Sequence, residues 1–293
     1  MSSKHYGIIV GVDGSPASDA AVGWAAHDAV MRGVPLTLIH VQDPATRTWS
    51  QAKVLEEVAG WQKAEGGGIL ANASKIAHDI ANDTSHITIN GELLFSAPGP
   101  ALVDRSEDAE LIVVGTDGRG ALTRSLLGSV SSGLVRHAGC PVAVIREGET
   151  QMPHPANAPV LVGVDGSSAS ELATEIAFDE ASRRHVGLIA LHAWSNKELV
   201  DVPGVNWPAV KADEERPMSE ALAGWQERYP DVTVNKLLVC DKPARAIVET
   251  SQSAQLVVLG RHGRNALTRT FLGSVSNAVV QSVRVPVIVA RPD

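Results

Sequence analysis

A chain of 293 residues, 44% hydrophobic and 20% charged, is long for one open-sheet domain and comfortable for two, with enough apolar surface to bury a core in each half, which excludes a disordered protein. Its 33 acidic residues outweigh 25 Lys and Arg, for a net charge of -8, so there is no basic field to gather nucleic acid or an anionic membrane. No apolar run approaches the roughly 18 residues of a spanning helix, and the opening MSSKHYGIIVGVDGS carries no extended apolar leader, so a cytoplasmic protein is expected.

The first element is a β-rich apolar run, Tyr6 to Val12, suited to a buried parallel strand and ended by Asp13, Gly14 and Ser15. A helix is expected from about Ser18 to Arg32, because Val22, Ala25, Ala26, Ala29 and Val30 form one apolar stripe and Gly33 supplies the stop. Leu36 to Val41 reads as the second strand. A segment without an assigned element follows. Then come a strand over Ile87 to Phe95, a short helix opening near Pro100, and the strongly apolar strand Leu111 to Val114. Ser129 is expected to cap a helix to about Ala138, and Val142 to Ile145 is the last strand. Glu147 to Pro159, EGETQMPHPANAP, holds three prolines that disfavour helix interior and central strand, and reads as a linker between domains 1–146 and 160–293.

Beyond the linker the order repeats. GVDGSPAS at Gly11 to Ser18 recurs as GVDGSSAS at Gly163 to Ser170, an offset of 152, and ALTRSLLGSVS at Ala121 to Ser131 recurs as ALTRTFLGSVS at Ala266 to Ser276, an offset of 145. The seven-residue difference falls between Val41/Ala193 and Ile87/Val232, which is where the copies diverge. Strands alternating with helices imply parallel pairing through right-handed crossovers. Each half is therefore expected to be an open doubly wound five-stranded parallel sheet, a Rossmann-like α/β fold. In such sheets ligands lie beyond the carboxyl ends of the strands. Attention falls on the loops at Asp13 to Ser15 and after Val41 and Val114. The last strands, short, apolar and equivalent, are expected to pair the halves as a pseudo-twofold, with a homodimer of such tandem chains as the assembly.

After Val114 the glycines run G-x2-G-x9-G-S at Gly115, Gly118, Gly128 and Ser129, and the second half repeats them at Gly260, Gly263, Gly273 and Ser274. The first two permit unusual dihedrals and close approach of a ligand. The last pair opens a helix, whose free N–H groups and dipole suit phosphate. Neither G-x4-G-K-[ST] nor G-x-G-x-x-G is present, which excludes a P-loop and a dinucleotide fingerprint. Cys140 and Cys240 lie in different halves and read as small buried hydrophobes rather than a disulfide or zinc framework. His40 and His192 coincide in the repeat without a second ligand at metal spacing, and read as packed side chains.

This G-x2-G-x9-G-S motif, with a V-D-G-S strand end early in each half, resembles the ATP-binding members of the universal stress protein family, over nearly the whole chain; tandem actinobacterial members are the most similar. The resemblance implies ATP in both halves, with any Mg²⁺ carried by it. It places Asp13 and Asp165 at the ribose and adenine, with Gly11 and Gly163 giving room, and the backbone of Val41 and Ala193 against adenine. Gly115, Gly118, Gly128, Ser129, Val130 and Ser131 would enclose the phosphates, as would Gly260, Gly263, Gly273, Ser274, Val275 and Ser276. Arg124 and Arg269 are secondary candidates, and Asn265 in place of Gly120 alters the second loop. No catalytic set or protein metal site is expected. The implied function is a nucleotide-dependent stress regulator acting through a protein partner, with a slow ATPase or adenylate-transfer enzyme as the alternative. Gly115→Ala and Gly260→Ala are then expected to remove one site each and leave the fold intact.

Overall fold

Ile8, Ile9 and Val10 are fully shielded from solvent, as β-branched and apolar residues are in a strand covered on both faces. They belong to a computed structural model that describes residues 6–43, 52–81, 87–116, 127–148, 157–194, 207–263 and 272–291, with backbone alone at 52–59, 207–214 and 217. The chain divides into two compact units, Met1–Thr150 and Gln151–Asp293.

In the first unit the elements are β1 (Ile8–Gly11), α1 (Pro16–Arg32), β2 (Leu36–Gln42), α2 (Ala52–Ala81), β3 (Ile89–Phe95), α3 (Pro98–Ser106), β4 (Leu111–Gly115), α4 (Ser129–His137) and β5 (Val142–Ile145). The strands run parallel in the order β3-β2-β1-β4-β5. Ile8 faces Leu36 on one side and Leu111 on the other, so the order reverses beside β1 and opens a crevice at the strands' carboxyl ends.

The second unit repeats this with β6 (Val160–Gly163), α5 (Ser168–Arg183), β7 (Leu188–Trp194), α6 (Trp207–Arg228), β8 (Val234–Cys240), α7 (Pro243–Ser251), β9 (Leu256–Gly260), α8 (Ser274–Ser282) and β10 (Val287–Ala290). Its parallel order is β8-β7-β6-β9-β10. The doubly wound α/β architecture read from the repeat is present in both units.

Local chemistry sets the helix ends. The Ser15 hydroxyl accepts from the Ser18 N–H at 3.2 Å, Pro16 occupies the first turn, and Gly33 closes α1 at φ 66°. In the second unit Ser167 caps α5 in the same way, but the position of Gly33 is taken by His185, held at φ 55°. On the sheet side of α1, Ala17, Ala21, Ala25 and Ala29 are buried, and these small side chains let the helix lie close. Each of α1 and α5 carries a buried acid paired one turn on, Asp28 with Arg32 at 2.7 Å and Glu180 with Arg184 at 2.8 Å.

The segment left without an element carries a helix in both units, α2 and α6. In α2, Gly66, Ile69, Ala73, Ala77 and Ala81 are buried at helical spacing. Three consecutive glycines, Gly66 to Gly68, masked that signal, since glycine is a poor helix former. A Cβ at Gly66 would lie 2.7 Å from Leu93 Cδ1 and 3.0 Å from His40 Cδ2, so this glycine lets the helix cross β2 and β3 closely. Seven residues fewer separate β7 from β8, and α6 is the shorter helix. There Phe178 fills the gap, fully buried, with its ring 6.3 Å from Trp225 and 5.8 Å from Tyr229; the equivalent residue in α1 is Ala26.

Three further expectations are corrected. β1 starts at Ile8, because Gly7 at φ 59° turns the chain before it. α3 opens at Pro98 with Ala97 as its cap residue, not near Pro100. Cys140 is buried, but Cys240 is exposed, because it ends β8, the outer strand next to β7, where its counterpart Phe95 is also exposed. Gly118, Gly120, Arg124, Asn265, Arg269 and residues 149–156 of the linker lie outside the described residues.

Candidate functional site

At the carboxyl edge of the first sheet the loops converge on a cavity of about 200 Å³. Gly11 and Asp13 reach it from the end of β1, Val41 from β2, Gly115 from β4, and Gly128, Ser129, Val130 and Ser131 from the start of α4. The second unit forms a cavity of about 570 Å³ in the same place. Gly163 and Asp165 come from β6, Ala193 from β7, Gly260 and Gly263 from β9 and its loop, and Gly273, Ser274, Val275 and Ser276 from α8. Residues 152 or 145 positions apart in the chain are thus assembled alike.

The glycine loop is closed at its base by one bond in each unit. The Gly128 N–H donates to the Thr116 carbonyl at 2.7 Å, and the Gly273 N–H donates to the Arg261 carbonyl at 2.9 Å. One turn into each helix, the Ser131 hydroxyl donates to the Gly115 carbonyl at 2.6 Å and the Ser276 hydroxyl to the Gly260 carbonyl at 2.7 Å. Each helix start is thereby fixed to the end of its strand. The cap residues are Gly128 and Gly273, so Ser129 and Ser274 are the first helical residues and do not cap. Neither helix has a side-chain cap, in contrast to the serine-capped α1 and α5. The residues of each first turn, Ser129 to Ser131 and Ser274 to Ser276, line the cavity, at the end of the helix where free N–H groups and the positive end of the dipole lie.

Gly115 and Gly260 line the cavities and also serve packing. A Cβ on Gly115 would lie 2.8 Å from the carbonyl carbon of Ala17, and one on Gly260 2.7 Å from that of Ala169. These residues let α1 and α5 press against β4 and β9. Replacement by alanine would strain the core, contrary to the expectation that the fold would not notice. Gly11 and Gly163 are also hemmed by side chains, with Leu102 Cδ1 3.0 Å and Leu259 Cδ2 2.8 Å from the built Cβ. Gly263 has the closest contact to a site carboxylate: its Cβ would fall 2.8 Å from Asp165 Oδ2.

Asp13 and Asp165 shape the strand-end turns. Asp13 Oδ1 accepts from the Ser15 N–H at 2.9 Å, and Asp165 Oδ1 accepts from the Ser167 N–H at 2.9 Å and its hydroxyl at 2.6 Å. Nearby on α1, the Asp19 carboxyl is held above its ordinary pKa by burial; the Asn72 amide lowers it and the charge of Asp13 raises it. His40 and His192, both buried, pin the preceding carbonyls of Val12 and Val164. Among the described residues no three His, Cys, Asp or Glu side chains gather to hold a metal.

Several lining residues were not anticipated. Pro98 and Leu102 of α3, with Pro243 and Ile247 of α7, wall both cavities; their equivalence at an offset of 145 was the available signal. Trp194 and His262 also line the second cavity. Their first-unit counterparts, Gln42 and Asp117, carry no similarity that would have drawn notice.

Comparison with known proteins agrees with this architecture. The model of the universal stress protein family matches residues 7–146 and again 157–291. Universal stress protein Rv2005c of Mycobacterium tuberculosis is 56% identical over 288 residues, 98% of each chain. Universal stress protein Rv2623 of the same organism is 51% identical over 293 residues, 99% of each chain. Among solved structures, a universal stress protein from Archaeoglobus fulgidus superposes with a TM-score of 0.67 at 19% identity, covering 97% of this chain and 96% of that one; at that identity the likeness speaks to the fold. No helix among the described residues is long and apolar enough to cross a membrane. With two matched copies of the family model spanning almost its whole length, this chain belongs to the universal stress protein family.

Proposed function

We propose that each unit binds ATP and that occupancy controls contact with a regulatory protein partner, making the chain a cytoplasmic, nucleotide-dependent regulator of growth or survival under stress. The observation that supports this most is the uncapped start of α4 and α8. Glycine at the cap position, with the first-turn residues of the helix lining a cavity, is an arrangement whose free N–H groups suit phosphate. Asp13 and Asp165 stand one strand away, where carboxylate oxygens can accept from sugar hydroxyls. The donor set fits a triphosphate. Mg²⁺ would arrive on its oxygens, and the chemistry it supplies is charge neutralisation of the phosphates.

The test exploits the opposite needs of a helix and a phosphate site. Ser129→Glu and Ser274→Glu place a negative charge in the first turn, which favours the helix by about 0.3–1 kcal/mol but repels a bound anion. Titration calorimetry with Mg-ATP is expected to give two sites in the wild type, one in each single variant and none in the double variant, with melting temperatures unchanged or raised. Two sites of unaltered affinity in the double variant would refute the reading.

A further inference from the structure

We infer that Trp194 makes the second unit selective for purine nucleotides through stacking on the base, a selectivity the first unit lacks; this rests on the nucleotide reading above. The second sheet orders its strand ends as β9, β6, β7. Gly260 and the start of α8 stand at one end, Asp165 follows β6, and Trp194 ends β7. All of them line a single cavity. Adjacent strands lie about 4.8 Å apart, so the anion-receiving end and the tryptophan are separated by roughly 10 Å across the sheet. That span matches a nucleotide lying with phosphates at α8, sugar at Asp165 and base at β7. An aromatic wall at the third position is what a planar heterocycle stacks on.

The first unit has the same phosphate end but a different third position. Gln42 stands where Trp194 does, and its side-chain amide oxygen lies 3.2 Å from His40 Nε2, directed to the imidazole. Gln42 is not among the residues that line the first cavity. The second cavity is about 570 Å³ and the first about 200 Å³. Ala193 beside the tryptophan, in place of Val41, further widens the second. The two units therefore share phosphate chemistry and differ in base chemistry.

Calorimetry on the full chain tests this with three probes: Mg-ATP, Mg-CTP and inorganic tripolyphosphate. In Trp194→Gln one of two ATP sites is expected to weaken by about 5- to 100-fold, the range of one lost base–aromatic stack, with its preference for ATP over CTP reduced. Tripolyphosphate binding stays unchanged, because it carries no base. Trp194→Phe, which keeps a stacking face, is expected to hold the ATP site within about threefold of wild type and guards against a folding defect in the glutamine variant. An ATP isotherm unchanged in Trp194→Gln, or an equal loss for tripolyphosphate, overturns the stacking role alone. Failure of the wild type to bind ATP at all overturns the proposed function and this inference with it.

Discussion

His40 Nδ1 lies 2.7 Å from the carbonyl oxygen of Val12, 28 residues earlier. A carbonyl can only accept, so Nδ1 carries the proton, and the imidazole ties β2 to the chain leaving β1 just ahead of Asp13. His192 does the same to Val164 at 2.6 Å. Both histidines are buried. His40→Leu and His192→Leu would each strand a buried carbonyl and are expected to lower stability by about 1–3 kcal/mol, read from urea unfolding. Leucine variants as stable as wild type would show that the bond contributes nothing net.

Gly66 and Gly67 are neighbours in α2 with opposite surroundings. Nothing lies within 4 Å of a Cβ built on Gly67, whereas Gly66 faces Leu93 and the anchored ring of His40. Gly67→Ala is expected to stabilise the first unit by about 0.5–1 kcal/mol, the ordinary helix gain. Gly66→Ala should fall about 1–2 kcal/mol below it, since the added methyl forces repacking. Equal denaturation midpoints for the two variants would contradict the close crossing of α2 over β2.

The contact of Gly115 with Ala17 makes a stability prediction. The atoms a Cβ would meet are the carbonyl group and Cβ of Ala17 on a helix, which cannot swing aside. Gly115→Ala and Gly260→Ala are expected to destabilise their own units by about 1–3 kcal/mol each through overpacking, with or without ligand present. Thermal unfolding without nucleotide decides it, and unchanged transitions would restore the simpler view that these glycines serve only a ligand.

His185 ends α5 in the left-handed conformation that Gly33 adopts at the end of α1. A side chain there carries a steric penalty of roughly 1–2 kcal/mol, part of which glycine returns as unfolded-state entropy. His185→Gly is expected to stabilise the second unit by about 0.5–1 kcal/mol, while Gly33→His should destabilise the first. Chemical denaturation of both variants checks the pair, and opposite signs are required.

Asp19 is raised by burial and by Asp13, and lowered by Asn72. With its folded pKa above the unfolded value of 3.8, its contribution to stability is fully present below that value and is lost as pH rises through the folded pKa. Asn72→Ala is expected to move the Asp19 midpoint upward and Asp13→Asn to move it downward, followed by carboxyl NMR titration. Shifts of the same sign would exclude this arrangement of charges.

The periodicities of 2 and 3.6, the glycine and serine punctuation and the internal repeat were enough to read the α/β order, because each depends on a few neighbouring residues and on which faces are buried. Gly115 and Gly128 could be placed in one site, and Gly260 and Gly273 in its counterpart, because the switch point of a parallel sheet fixes where such loops meet. Helix α2 was hidden because its glycines suit a crossing over β2 and β3 that local propensity cannot register. The exposure of Cys240 follows from the place of β8 at an end of its sheet, a property of sheet order and not of its sequence neighbourhood. The same holds for Gly115, whose missing side chain serves the approach of Ala17. It holds too for Trp194, which became a site residue only when β7 was set two strands from β9. Contacts between residues far apart in the chain decide such matters, and packing geometry, rather than residue type, carries them.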